Sequence, residues 1–239
     1  MNRPGPLSPV GRETLQDRVY AELRRSLING MFDAGQMLRI QDLAEKLQTS
    51  TMPVREALGR LVSEQALEAL PNRTVRVPVI TIEKLDDLAR ARCLIEGEMV
   101  GLALHRLGAD DFAELRTLTQ RCDEAFAGHG EDVAHATSEL NHAFHFHIYR
   151  AARSAVLIPI VESLWLQSGP YIRVAAQVHD EQTDIAATHH HWALIEALER
   201  RDRKAATQAL ADDITRSFNL IRTRLDSTSA ETMRTARYA

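Results

Sequence analysis

The segment Thr49-Ser50-Thr51-Met52-Pro53-Val54-Arg55-Glu56-Ala57-Leu58 constrains the fold of this chain more than any other. Pro53 is admitted to a helix only in its first turn, where backbone N–H groups have no intrahelical partner. A helix therefore starts near residue 50, with Ser50 as its cap, and runs to about Glu64, burying Val54, Leu58 and Leu61 or Val62. Before it lies a short apolar helix, Ile40 to Leu47. After it, Leu67 to Val77 alternates around the turn Pro71-Asn72-Arg73-Thr74, which is the pattern of a hairpin. Helix, turn, helix, hairpin is the order of a winged DNA-binding module.

The flanking sequence fits around this unit. Residues 1–10 are rich in Pro, Gly and Ser and read as a disordered tail. Leu15, Val19, Leu23 and Leu27 then recur at helical spacing, and Gly30 supplies a stop. Pro78 to Ile80 read as a linker, with Thr81 capping the next helix. From residue 82 onward helical period dominates, giving helices near 82–107, 109–128, 132–153, 155–178, 183–200 and 202–226. Short connections imply an antiparallel bundle, so the fold class is mainly α: an N-terminal winged helix-turn-helix over 11–80 and an all-helical domain over 81–227. Residues 228–239 are expected to fray.

Composition narrows the setting. The two cysteines, Cys93 and Cys122, lack metal-type spacing and fit a reducing cytoplasm better than a disulfide framework. Met1 to Gly11 has no apolar core of a signal peptide, and no apolar run is long enough to cross a bilayer. Residues 1–80 carry 11 Lys/Arg against 9 Asp/Glu, whereas residues 81–239 carry 18 against 24. The positive excess thus lies where phosphate would be met.

The third helix would enter the major groove with its first residues toward base edges. The candidate DNA contacts are Ser50, Thr51, Met52 and Arg55 on that helix, Gln41 on the preceding one, and Arg73 and Thr74 at the wing tip. A bidentate Arg55–guanine contact would discriminate by about 1–3 kcal/mol. A small helical subdomain with a surface arginine, or a winged helix used for protein contacts, is the plainer alternative.

Residues 14–80 resemble the N-terminal domain of the GntR family of bacterial transcription regulators. The resemblance is carried by Val19-Tyr20-Ala21-Glu22-Leu23-Arg24, Ile28-Asn29-Gly30, Gly35-Gln36-Met37-Leu38, Asp42-Leu43-Ala44, Pro53-Val54-Arg55-Glu56-Ala57-Leu58 and Pro71-Asn72-Arg73. Against the family pattern, Thr51 stands for an Arg, Ala34 for a Pro, and Gln65 and Thr74 for Gly. The altered base-reading position implies a different preferred operator.

Further along, polar residues interrupt stripes that otherwise read as core. Asn141 and His145 share a face with Phe144, Ile148 and Ala152 nearby; His191 stands among Leu194, Ile195 and Leu198; Asp213 lies between Leu210 and Leu220 at helical spacing. A carboxylate on an apolar stripe needs a partner. Two imidazoles, a carboxylate and an amide oxygen can hold a divalent ion with positions left open. The competing reading is a hydrogen-bonded core network without metal. His142, His147, His189 and His190 are expected to point elsewhere, with one of them as a possible substitute for Asn141, and Trp165 and Trp192 to pack.

Residues 85–225 resemble the FCD-type effector domain of the FadR-like branch of the same family, through Arg92-Cys93-Leu94-Ile95-Glu96, Asn141, Phe144-His145, Ile148-Tyr149, His191, Leu194-Ile195 and Ala197-Leu198. The resemblance places metal ligands at Asn141, His145 and His191, and Asp213 where a last His is usual. It implies a divalent ion of the Zn, Ni or Mn class and makes Arg92 a contact for an acidic effector, with an ion pair to Glu96 as the structural alternative. Glu96, Tyr171 and Arg173 complete the candidate effector set. The function so implied is a homodimeric regulator, expected to repress, that binds a palindromic operator and a small carboxylic acid, without catalysis. A regulator that senses the ion itself and a metal-dependent hydrolase are the alternatives.

Overall fold

A computed structural model describes residues 14–71, 74–128, 131–178 and 186–236. Within it the N-terminal head is built from helix α1 (Leu15–Ile28), strand β1 (Met37–Leu38), α2 (Ile40–Lys46), α3 (Thr51–Ser63), β2 (Glu68–Leu70) and β3 (Thr74–Arg76). Thr14 caps α1 reciprocally with Asp17: the threonine hydroxyl oxygen accepts from the Asp17 N–H, and the Asp17 carboxylate accepts from the Thr14 N–H. Gly30, at φ +65°, follows that helix as the expected stop. Ser50 is at the N-cap of α3, but its side chain makes no capping bond, so helix entry there rests on Pro53 and on burial of Val54, Ala57, Leu58 and Leu61.

The wing pairs β2 with β3 antiparallel, Ala69 opposite Val75. The sequence pattern does not reveal β1, which adds a third strand through Leu38 opposite Val75, giving the order β1-β3-β2. Two residues are too few to show a period, and β1 forms because Leu38 is buried against the head core.

The second part consists of α4 (Ile82–Ala103), α5 (Ala109–Phe126), α6 (Glu131–Ala151), α7 (Leu157–Val178), α8 (His189–Glu199) and α9 (Arg203–Ala236). Thr81 caps α4 as expected, its hydroxyl accepting from the Lys84 N–H at 3.2 Å. Helix α9 packs on α4, α7 and α8, while α6 packs on α4, α5 and α7. The sequence reading differs most at three helix ends, of which the first is α4, ending at Ala103 rather than 107. Helix α8 starts at His189 rather than 183, and α9 continues to Ala236 where a frayed end is expected from about 228. Polar composition lowers burial without forbidding a helix, and Ala230, Glu231, Met233, Arg234 and Ala236 favour one. No described helix is long and apolar enough to cross a membrane.

Head and bundle touch through α1 and α7. Arg24 pairs with Glu162 at 3.3 Å, and the Asn29 side-chain amide donates to Glu139 at 3.0 Å. The surrounding cleft, ≈760 Å³, is lined from both sides, by Tyr20, Arg24 and Glu64 and by His142, Arg150 and Glu162.

Candidate DNA-reading face and metal centre

On the head, α3 buries one face and presents Thr51, Met52 and Arg55 to solvent; Met52 is 60% exposed, unusual for so apolar a side chain. Gln41, Thr51, Arg55 and Thr74 line a single groove of ≈340 Å³. Ser50 is exposed beside it. Arg73 lies outside the described residues. The structure adds Arg39, which precedes α2 and lines the same groove. Among the described residues neither Arg39 nor Arg55 has an ion-pair partner within its own chain. Arg60, one turn beyond Arg55, is different. It bridges to Asp17 at 3.1 Å and lies 3.7 Å over the Tyr20 ring, so it fastens α3 to α1.

The polar stripes of the bundle do converge. His145 on α6, His191 on α8 and Asp213 on α9 bring potential ligand atoms within 4.8 Å of one another. His145 Nε2 is 3.2 Å from Asp213 Oδ2, His191 Nε2 is 3.9 Å from Asp213 Oδ1, and His191 Nε2 is 3.0 Å from Asn141 Oδ1. Both imidazoles are buried. Burial lowers the His191 pKa to about 3, so this ring is neutral. Burial raises the Asp213 pKa, but the hydrogen-bonding and charge effects of His145 and His191 outweigh it, and the carboxyl is held well below the usual carboxylate range.

A relay behind His145 decides which of its nitrogens faces the cluster. The Tyr149 hydroxyl donates to Glu96 and also lies 3.3 Å from His145 Nδ1. A hydroxyl has one proton to give. With that proton on Glu96, His145 Nδ1 must carry an N–H to donate to the tyrosine oxygen. His145 Nε2 is then turned toward the Asp213 carboxylate, 3.2 Å away. That separation is also the one expected of two ligands on one cation with bonds of about 2.1 Å. The donor set therefore fits a divalent ion held by His145, His191 and Asp213, with Asn141 alongside.

Arg92 does not reach the cavity beside this cluster. It is 4% exposed and bonded through Nε to Glu96 Oε1 at 2.6 Å, with its guanidinium 4.3 Å from the Trp165 ring. Glu96 is wholly buried and receives both Arg92 and Tyr149. The alternative reading of Arg92, an ion pair with its i+4 neighbour, is the arrangement present. Tyr171 is buried and stacked on Phe218, and its hydroxyl does not line the cavity either. The Arg173 side chain lies outside the described residues.

His142 stacks on Phe146 at 4.1 Å, and His147 bonds Asp111 at 2.9 Å; neither joins the cluster, nor do His189 and His190. Trp165 is buried, and Trp192 donates to Asp123 at 3.1 Å. Beside the cluster lies a cavity of ≈60 Å³ lined by Asn141, His191, Asp213, Thr137, Thr188 and Arg216, among others.

A winged head with unpaired cations in its groove, fused to a helical domain with a buried ligand-like cluster, defines a DNA-binding regulator with a sensing domain. Comparison with known proteins agrees. Residues 15–77 match the family described as bacterial regulatory proteins, gntR family, and residues 87–216 match the FCD domain. The chain is 31% identical over 200 residues to the HTH-type transcriptional regulator McbR of Escherichia coli K12, covering 83% of this chain and 88% of that protein. It is 26% identical over 231 residues to the uncharacterized HTH-type transcriptional regulator BphR of Paraburkholderia xenovorans, covering 92% and 89%. A solved structure of E. coli McbR/YncC superposes with a TM-score of 0.80 at 28% identity, over 89% of this chain and 99% of that one. The chain belongs to the GntR family of transcription regulators and carries an FCD effector domain; it is a regulator rather than an enzyme.

Proposed function

We propose that this regulator binds a palindromic operator as a homodimer in the cytoplasm and represses transcription, with a divalent ion and a small organic acid bound in the helical domain as its signal. Two-fold operators are read by two-fold proteins, which is the physical reason for the dimer. Arg39, Gln41, Thr51 and Arg55 in one groove support the reading of the head. The observation that carries the metal is the convergence of one ligand atom each from His145, His191 and Asp213 within 4.8 Å of one another. When bound, the ion supplies positive charge and open coordination positions that suit a carboxylate. His145, His191 and Asp213 hold it, and Tyr149 with Glu96 fixes the His145 tautomer.

The test is elemental analysis of purified parent and His191→Ala protein, followed by operator titration with and without ion. One equivalent of metal in the parent, lost in His191→Ala, is the expected result. Equal metal in both, or none in the parent, removes the metal reading. A tenfold change in operator affinity with the ion alone, in the absence of acid, makes the ion itself the effector.

A further inference from the structure

We infer that Met52 reads thymine in the operator, by packing on the C5-methyl group that this base turns into the major groove. This rests on the reading of the head as a DNA-binding module and names a chemical feature that its helix α3 selects. Met52 is the second residue of α3 and is 60% exposed. Pro53, Val54, Ala57, Leu58 and Leu61 form the buried face of that helix. At about 100° per residue, Met52 stands almost opposite the middle of that face. Arg55 and Glu56, both exposed, flank it.

The same outward row continues at Gly59, two turns on and exposed. Its own helix backbone aside, no atom of the described residues lies within 4 Å of a Cβ built there. A glycine inside a helix lowers its stability relative to alanine, and no contact within the chain calls for one here. The bare position lets α3 lie close against a groove wall, with Met52 as the group that projects. Thr51 also carries a methyl, but it stands at the edge of the exposed face, in the groove with Arg39 and Gln41.

The chemistry of the side chain selects its contact. A thioether has no proton to donate and accepts only weakly. Pressed against a phosphate or the polar edge of a base, it would displace water without replacing the lost hydrogen bonds, which costs affinity. Thymine alone of the four bases presents a methyl group in the major groove. An unbranched, flexible and polarizable side chain can settle on that methyl without exact backbone placement. Arg55 beside it offers paired donors that suit guanine, so the two side chains select unlike base pairs.

The experiment starts from full-length protein, which selects its operator from a pool of random duplexes. Each thymine of the selected duplex is then replaced in turn by deoxyuridine, which removes the methyl and keeps every hydrogen-bonding group. Affinities are measured by fluorescence anisotropy at one fixed salt concentration. At one thymine in each half-site, deoxyuridine should weaken binding by the parent about three- to fivefold, the worth of one buried methyl group. Met52→Ala should bind the two duplexes alike at that position, while Thr51→Ser, which loses a methyl and keeps its hydroxyl, should still tell them apart. Met52 is exposed, so the melting temperature of Met52→Ala should match the parent's. If that variant binds too weakly to measure, Met52→Gln decides, since it keeps the length, adds polarity and should also lose the discrimination. A parent indifferent to deoxyuridine at every thymine overturns the assignment, as does a penalty that survives in full in the Met52 variants or vanishes in Thr51→Ser. A parent that enriches no duplex at all overturns the reading of the head, and this assignment with it.

Discussion

Gly169 of α7 lies against the main chain of α1 at Leu27 so closely that a Cβ built on it would stand 1.9 Å from the Leu27 carbonyl oxygen. The nearest atoms are backbone, which cannot rotate away. The two backbones approach closely here, at the seam between head and bundle, and Pro170 follows directly inside α7. Glu139, which receives the Asn29 amide across the same seam, is two residues from Asn141. The seam thus reaches α6, the helix that also carries Asn141 and His145.

The first prediction is that Gly169→Ala separates α1 from α7. Overpacking costs about 1–3 kcal/mol, or a drop in melting temperature of about 3–10 °C for a chain of this size. Scanning calorimetry measures it, and limited proteolysis should cut faster between head and bundle near Val79, which is 45% exposed. A melting temperature equal to the parent's would mean that the two helices slide apart without cost.

The second concerns the end of α3. Gln65 has φ +60° and closes the helix in a Schellman turn, its N–H donating to Val62 and the Ala66 N–H donating to Leu61. This is a position at which the family pattern has glycine. A side chain there costs about 1–2 kcal/mol, so Gln65→Gly should raise the melting temperature by about 2–6 °C. Operator affinity should not change, since the turn lies at the far end of α3 from Arg55. No gain in melting temperature would show that the Gln65 side chain recovers the cost elsewhere.

Third, stability should fall with acid through two imidazoles, the buried His191 and the half-buried His142. Burial lowers the His142 pKa to about 4 and the His191 pKa to about 3, from an ordinary value of 6.5. Between those limits the unfolded chain binds more protons than the folded one. Stability is therefore full above pH 6.5 and declines as pH drops toward 4 and then 3, by at most about 1.4 kcal/mol per pH unit for each ring. Asp213 adds its own loss only below the ordinary carboxylate range, because its pKa is lowered. Denaturant titrations of chelator-treated protein from pH 7.5 to 4.5 measure the slope. His142→Phe, which keeps the stack on Phe146, should make it shallower; an identical slope would take His142 out of the account.

Much of this molecule is legible in its sequence because local chemistry and global fold agree. Pro53 sets the start of α3, Thr81 caps α4, and the wing alternates. The cluster was legible for a related reason: Asn141, His145, His191 and Asp213 are polar residues on apolar stripes, and such residues need partners. What sequence does not carry is partner choice. Arg92 at i−4 from Glu96 is equally consistent with a cavity residue and with an ion pair, and only burial of the Glu96 carboxylate decides. Arg39 and Gly169 act through tertiary approach of distant segments, and nothing in their neighbours announces it.

The last prediction follows from the Arg92–Glu96 pair. Removing one partner of a buried pair leaves the other charge unpaired and typically costs about 3–5 kcal/mol. Arg92→Ala should therefore lower the melting temperature by about 6–20 °C, and it also removes the cation that lies over Trp165. Because Glu96 accepts the Tyr149 proton and so sets the His145 tautomer, the same variant should weaken metal affinity although Arg92 touches no ligand. Arg92→Met combined with Glu96→Leu replaces both charges with apolar groups of similar length and should recover most of the stability. It should not recover metal affinity, since Tyr149 then has no carboxylate to hold its proton. Calorimetry and metal titration of both variants separate packing from orientation. A double variant that regains full metal affinity would show that the Glu96–Tyr149 bond does not govern His145.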